Sequence, residues 1–185
     1  MQIISITVSL IALCASLFTL WFTILRRGSV LITRPSLVAF TYELVGGKIP
    51  QAKIFLRTLL FSTGKRGWVV ESLFLRVSEG GRCEEFSFWG HGDKDIVRGS
   101  GIFAPENGIV TNHHFTPLHM DRIFEFPKGV YTLELFVKLV NRTRALPLWT
   151  ENLEILEDTL GTANCNNAIF FNWSPEKNKY IAVTR

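Results

Sequence analysis

The sequence predicts an antiparallel β-sandwich or barrel carried behind one N-terminal transmembrane helix. Three observations predict it. Ile3 to Leu25 is a run of 23 residues without a charged side chain. Beyond Arg27 the apolar pattern turns from continuous to alternating, with no long segment that keeps a 3.6-residue stripe. Short strand-like runs then recur at intervals of roughly 8–14 residues with turn residues between them, the spacing of an all-β body and not of a parallel α/β sheet. The chain divides accordingly into an anchor with a basic flank, residues 1–27, and a body, residues 28–185. At 185 residues one domain is the natural expectation, and a net charge of +4 is too mild for a nucleic-acid binder.

The anchor comes first. A bilayer core about 30 Å thick needs roughly 20 apolar helical residues, so this run can cross with some tilt. Its Ser and Thr residues are small hydroxyls that can bond back to their own helix carbonyls. Trp21 and Phe22 fall at the end of the run, where aromatic rings suit the interface. A cleaved signal peptide carries basic residues before its apolar stretch and small residues after it. Here only Met1 and Gln2 precede the run, and Phe22-Thr23-Ile24-Leu25 is bulky. Ile11-Ala12-Leu13-Cys14 resembles a lipoprotein box, with Leu13 where a small residue is needed. A retained span is therefore expected. Ser5, Ser9, Ala12 and Ser16 recur at the spacing of close-packed helix pairs, which makes a homo-oligomer through the helix possible.

Arg26 and Arg27 stand directly behind the span and set its direction. Basic flanks stay cytoplasmic, so the N-terminus is expected outside and residues 28–185 in the cytoplasm. Residues 26–67 hold eight basic side chains against Glu43 alone, whereas residues 68–185 hold twelve against fifteen acids. The positive excess thus lies closest to the membrane in sequence, where anionic head groups attract it. Solvated charges on strand faces give the same count. Cys83 and Cys165 could pair, but a body of this size needs no staple, and free thiols suit a reducing compartment.

Strands are expected at Ser29–Ile32, Leu37–Leu44, Lys53–Ser62, Trp68–Val77, Glu84–Trp89, Ile96–Phe103, Ile109–Phe115, Arg122–Phe126, Val130–Val140, Leu148–Leu156 and Ala168–Trp173, with a short last one at Tyr180–Val183. Val130–Val140 is the clearest: Tyr131, Leu133, Leu135, Val137 and Leu139 share one face, with Phe136 an exception on the other. Lys53–Ser62 is apolar on both faces, as for a strand covered on both sides or one that docks on something. Gly-, Pro- and Asn-containing segments fall between the runs, at Gly46-Gly47, Gly64, Gly80-Gly81, Pro105 to Gly108 and Pro127 to Gly129.

The segment Pro127-Lys128-Gly129-Val130-Tyr131-Thr132-Leu133 resembles a strand entry of immunoglobulin-like domains. There a Gly-x-Tyr-x-apolar run, here Gly129, Tyr131 and Leu133, holds a tyrosine corner whose hydroxyl bonds back across the turn. The resemblance implies an antiparallel immunoglobulin-like β-sandwich and a binding or spacer module. Leu133 stands where antibody domains carry their second Cys, so the likeness is to the broad class and to no functional family.

Chemistry is sparse. Asn112-His113-His114 holds the one adjacent histidine pair, with His91 upstream and His119 downstream. On a strand His113 and His114 point to opposite faces and cannot share a metal without a bulge. No Gly-x-Ser-x-Gly elbow is present, and Glu84 and Glu85 beside Cys83 would raise a thiol pKa, against activation. Gly99-Ser100-Gly101 matches a dinucleotide fingerprint by letters, but Pro105 and the strand-like Ile102-Phe103 deny it the helix that mechanism needs. No cofactor and no metal are expected.

The expected function is a non-catalytic interaction module at the membrane, an adaptor, scaffold subunit or sensor. Its partners are the lipid bilayer and a protein, with no nucleic acid. Two alternatives stand beside it. One is a membrane-tethered enzyme or metal-binding protein using the His91, Asn112, His113 and His114 region. The other is an outward-facing envelope or surface domain of a secretion or adhesion assembly, marked by a Cys83–Cys165 disulfide.

Overall fold

The structure is a computed structural model that describes residues 2–26, 28–45, 49–92, 95–99, 101–119, 123–156, 160 and 167–184. Helix α1, Gln2–Leu20, continues through a π-helical turn at Trp21–Leu25, closed by Arg26 N donating to Trp21 O at 2.9 Å. None of its residues is buried. This run is long and apolar enough to cross a membrane. Thr7, Ser9, Ser16, Thr19 and Thr23 each donate to the carbonyl four residues back, at 2.7–2.9 Å. Each hydroxyl is thus satisfied inside its own helix, which removes the penalty of carrying it into hydrocarbon.

Among the described residues twelve strands follow, all paired antiparallel: β1 Val30–Ile32, β2 Leu37–Val45, β3 Ile49–Ser62, β4 Trp68–Glu79, β5 Arg82–His91, β6 Val97–Arg98, β7 Ile102–Ala104, β8 Ile109–Pro117, β9 Gly129–Leu139, β10 Leu146–Ile155, β11 Ala168–Ser174 and β12 Lys179–Thr184. Hydrogen bonding draws one continuous sheet in the order β10-β9-β4-β5-β8-β3-β2-β11-β12, with β1, β6 and β7 added on β3, β5 and β4. The sheet curls until β10 lies beside β1 and β12, so the body is a nearly closed barrel. A division into two separate sheets, which the immunoglobulin-like resemblance implies, is not drawn by this pairing.

Alternation explains the curl. On β9, Tyr131, Leu133, Leu135, Val137 and Leu139 are all buried and face the lumen. Val38, Phe40 and Tyr42 of β2, Ile54 and Leu56 of β3, and Leu73, Leu75 and Val77 of β4 join them in one core. The exception on β9 has a cause: Phe136 stacks on Phe74 at 4.9 Å on the outer face, capped by the Arg76 guanidinium.

Two expected strands come out differently. Ile96–Phe103 breaks into β6 and β7, because Gly99 and Gly101 take φ of 114° and 100°. That conformation ends β6 beside β5 and lets β7 cross to pair β4. In the expected strand Arg122–Phe126, residues 123–126 form a loop instead, and Arg122 lies outside the described residues. Phe126 stacks on Phe40 at 4.8 Å, and its N–H donates to Tyr42 Oη at 3.0 Å. Phe124 packs edge-on against Phe86 at 5.3 Å. The alternation of Phe124 and Phe126 is real, but it stoppers a lumen instead of pairing a sheet edge.

The barrel has two distinct ends. At the anchor end, Ser29 N donates to Thr63 Oγ1 at 2.8 Å, Thr63 N returns a bond to Ser29 O at 2.9 Å, and Trp68 Nε1 donates to Gly28 O at 3.2 Å. The loops 63–67, 105–108 and 140–145 stand at this same end. At the far end lie the β4–β5 turn, the loop before β9 and the exit of β10.

Candidate functional site

The histidine region is built by a bulge. β5 and β8 pair in register from Phe86 to Phe88, slip at Trp89, and resume with Gly90 opposite His114 and His91 opposite His113. The slip turns Trp89 to the outside while His91 and His113 stay on the lumenal side with Phe88. His113 is 2% exposed, and among the described residues neither of its ring nitrogens has a hydrogen-bond partner. Burial, with the neighbouring His91 and His114 imidazoles adding to it, holds its pKa down at about 4. It is a neutral imidazole sealed in a core.

His114 faces the other way. Its Nε2 lies 3.0 Å from Gly92 O, and its ring packs on Phe55 and Trp89. Trp89 carries two cations, Lys53 Nζ at 4.6 Å and the Arg98 guanidinium at 4.5 Å. Lys53 also meets Glu43 at 2.5 Å. Asn112 lies on the outer face, its carbonyl accepting from Gly92 N at 3.0 Å. The strand therefore separates the two histidines, His113 inside and His114 outside. Among the described residues no three His, Cys, Asp or Glu side chains converge on a point that could hold a metal ion.

The basic stretch 26–67 is not one belt. Lys53 is buried against Glu43 and Trp89, Arg57 sits mid-strand opposite Leu37 and Asn112, and Arg34 lies over the Trp173 ring at 4.0 Å. Arg26 stacks near Phe22, at 5.7 Å, while Arg27 lies outside the described residues. Cys83 is exposed as a free thiol, and Cys165 lies outside the described residues. Tyr131 donates to Pro127 O at 2.7 Å, with Gly129 opening the strand and Leu133 fully buried below it.

The sequence does not single out the seam where the sheet fails to close. Trp149 of β10 meets Tyr180 of β12 edge-on at 6.4 Å, and Tyr180 Oη donates to Pro35 O at 2.7 Å. Burial, helped by Glu151, pushes the Tyr180 phenol above its ordinary range. Alongside this pin lies a cleft of about 460 Å3, lined by Glu151 and Glu154 from β10 and by Lys177 and Lys179 from the start of β12 and the turn before it. Ala182 and Thr184 share the lumenal parity of Tyr180, yet both are exposed. β12 is thus covered on neither face beyond Tyr180. The signal in the sequence is faint: Tyr180–Val183 lacks the polar–apolar alternation of β9 because no lumen demands it.

No protein-family profile matches the chain, and no curated protein matches its sequence.

Proposed function

We propose that the protein is a single-pass, non-catalytic interaction module that holds a protein partner at the membrane along the β10/β12 seam. In this reading the helix stays in the bilayer with its N-terminus outside, and the barrel faces the cytoplasm. The occupant of the seam is an extended segment of a second protein, added beside β12. The observation that carries the reading is the strand uncovered on both faces. An edge of unpaired N–H and C=O groups is a template for strand addition, and the apolar Ile181 and Val183 offer side-chain recognition. Glu151 and Glu154 with Lys177 and Lys179, all lining the cleft, offer the entering segment polar partners of both signs. The enclosed His113, remote from solvent, supports a body that does no chemistry. The likeness to immunoglobulin-like domains agrees with a binding body, and the Tyr131 corner supports it locally.

A photo-crosslinking amino acid placed at Ile181 in the full chain, in its own membranes, tests the site. A discrete heavier adduct is expected from Ile181 and none from Glu71, an exposed position on β4. No adduct from Ile181, or the same adducts from both, overturns the proposal. An adduct of twice the chain mass makes the occupant a second copy and overturns the second-protein assignment. Orientation is read from the exposed Cys83. An impermeant maleimide is expected to modify it only after cells are broken. Modification in intact cells reverses the orientation.

A further inference from the structure

The anchor end of the barrel differs from the far end in charge and in apolar exposure. Its loops 63–67, 105–108 and 140–145 carry Lys65, Arg66, Arg142 and Arg144, all exposed, against Glu106, and the β11–β12 turn at the same end adds Lys177 and Glu176. The far end, among the described residues, carries Glu79, Glu84, Glu85, Glu125 and Glu154 against Arg82 and Lys128. Two of the four bases, Arg142 and Arg144, come from far outside the basic stretch 26–67, so the cluster is made by the fold. Beside it, Val69 and Phe103 are cross-strand partners on the outer face, 49% and 53% exposed, and Val140 N donates to Val69 O at 3.1 Å. The Arg142 guanidinium lies over the Trp68 ring at 5.6 Å, which keeps its charge at the rim.

We propose that this rim is a seat for anionic phospholipid head groups of the bilayer that holds the helix. The four bases engage head-group phosphates, and Phe103 with Val69 enters the boundary between head groups and acyl chains. The inference rests on the helix being a retained span.

The join supplies the geometry. Two residues separate Leu25 from Gly28, and a fully extended chain covers about 10 Å over that distance. Gly28 and Ser29 are bonded to Trp68 and Thr63, on the loop that carries Lys65 and Arg66. The rim therefore has no slack to stand away from the surface. Basic side chains held within a Debye length of anionic lipid are attracted to it, each strengthening binding about fivefold. Exposed aromatic and aliphatic side chains at the same level favour the interface.

The test uses the full chain reconstituted in vesicles. Asn107, exposed on loop 105–108, is changed by Asn107→Cys in a chain with Cys14→Ser, Cys83→Ser and Cys165→Ser, and labelled with a small fluorophore. A second chain keeps Cys83 at the far end as the labelled site. Vesicles of phosphatidylcholine alone, or with phosphatidylglycerol, carry a nitroxide on the head group. Strong quenching is expected at position 107 in the anionic vesicles, weak quenching at Cys83, and loss of the contrast at high salt. Reversing the rim with Lys65→Glu, Arg66→Glu, Arg142→Glu and Arg144→Glu is expected to weaken seating by about tenfold or more. An unchanged thermal transition shows that the reversed chain is folded. Protein that resists alkaline carbonate extraction yet shows equal quenching at the two sites, or quenching that ignores lipid charge and the reversal, overturns the seat alone. Protein that carbonate releases overturns the span, and the seat with it.

Discussion

Burying an imidazole with no partner is costly, and His113 is such a group. An unfolded histidine titrates near 6.5, and burial holds this one down at about 4. Between those values the unfolded chain binds a proton that the folded chain does not, so stability falls as pH drops through the window. The slope is about 1.4 kcal/mol per pH unit, or about 3 kcal/mol across it. Chemical denaturation of the full chain in detergent at pH 7 and pH 5 is expected to show about 2 kcal/mol of this loss, and His113→Leu to flatten it. A variant as steep as the parent would refute the assignment. Gly28 is the second residue on which much depends. Its φ of 68° suits glycine, and a Cβ there would lie 2.5 Å from Thr63 Oγ1 and 2.6 Å from Gly64 N. Gly28→Ala is expected to cost about 1–2 kcal/mol from the backbone conformation alone, read as a lower thermal midpoint. An unchanged midpoint would mean that the join carries no strain.

Elements divide by how local their cause is. β9 was readable residue by residue, since its five lumenal side chains and its tyrosine corner all lie within one run. The helix was readable for the same reason, down to the hydroxyls bonded four residues back. The loop carrying Phe124 and Phe126 was not. Alternation records that two rings share a side, not whether a neighbouring strand exists for the backbone between them. Here the backbone bond goes to the Tyr42 hydroxyl instead. Phe126→Ala is expected to cost about 3–5 kcal/mol, the range for a fully buried ring, with the loss read by thermal or chemical unfolding. A loss below about 1 kcal/mol would show that the loop is not a stopper. The rim and the seam escaped the sequence for a different reason. Pairing across the sheet brings the loops of Lys65 and Arg144 to one end and sets Trp149 against Tyr180, and nothing in the linear spacing foretells either.

At the scale of the whole molecule, every strand along the nine-strand path except β10 and β12 is paired on both sides. β9 bonds β4 on one side and β10 on the other, whereas β12 bonds β11 alone. Amides of β12 that point into the seam are expected to exchange with deuterated solvent orders of magnitude faster than those of β9. Mass spectrometry of the intact, reconstituted chain reads this directly. Equal protection in the two strands would mean that the seam is shut, and with it the docking edge.

The doubly bonded join at Gly28 and Ser29 also has a mechanical consequence. Gly28 and Ser29 are held to the barrel, so any swivel between barrel and helix falls on the two residues between Leu25 and Gly28. Backbone rotations there can turn the body about the helix axis, but a leash of about 10 Å keeps it beside the helix end whichever way it faces. A flexible insert after Arg26 would lengthen that leash and let the barrel drift away.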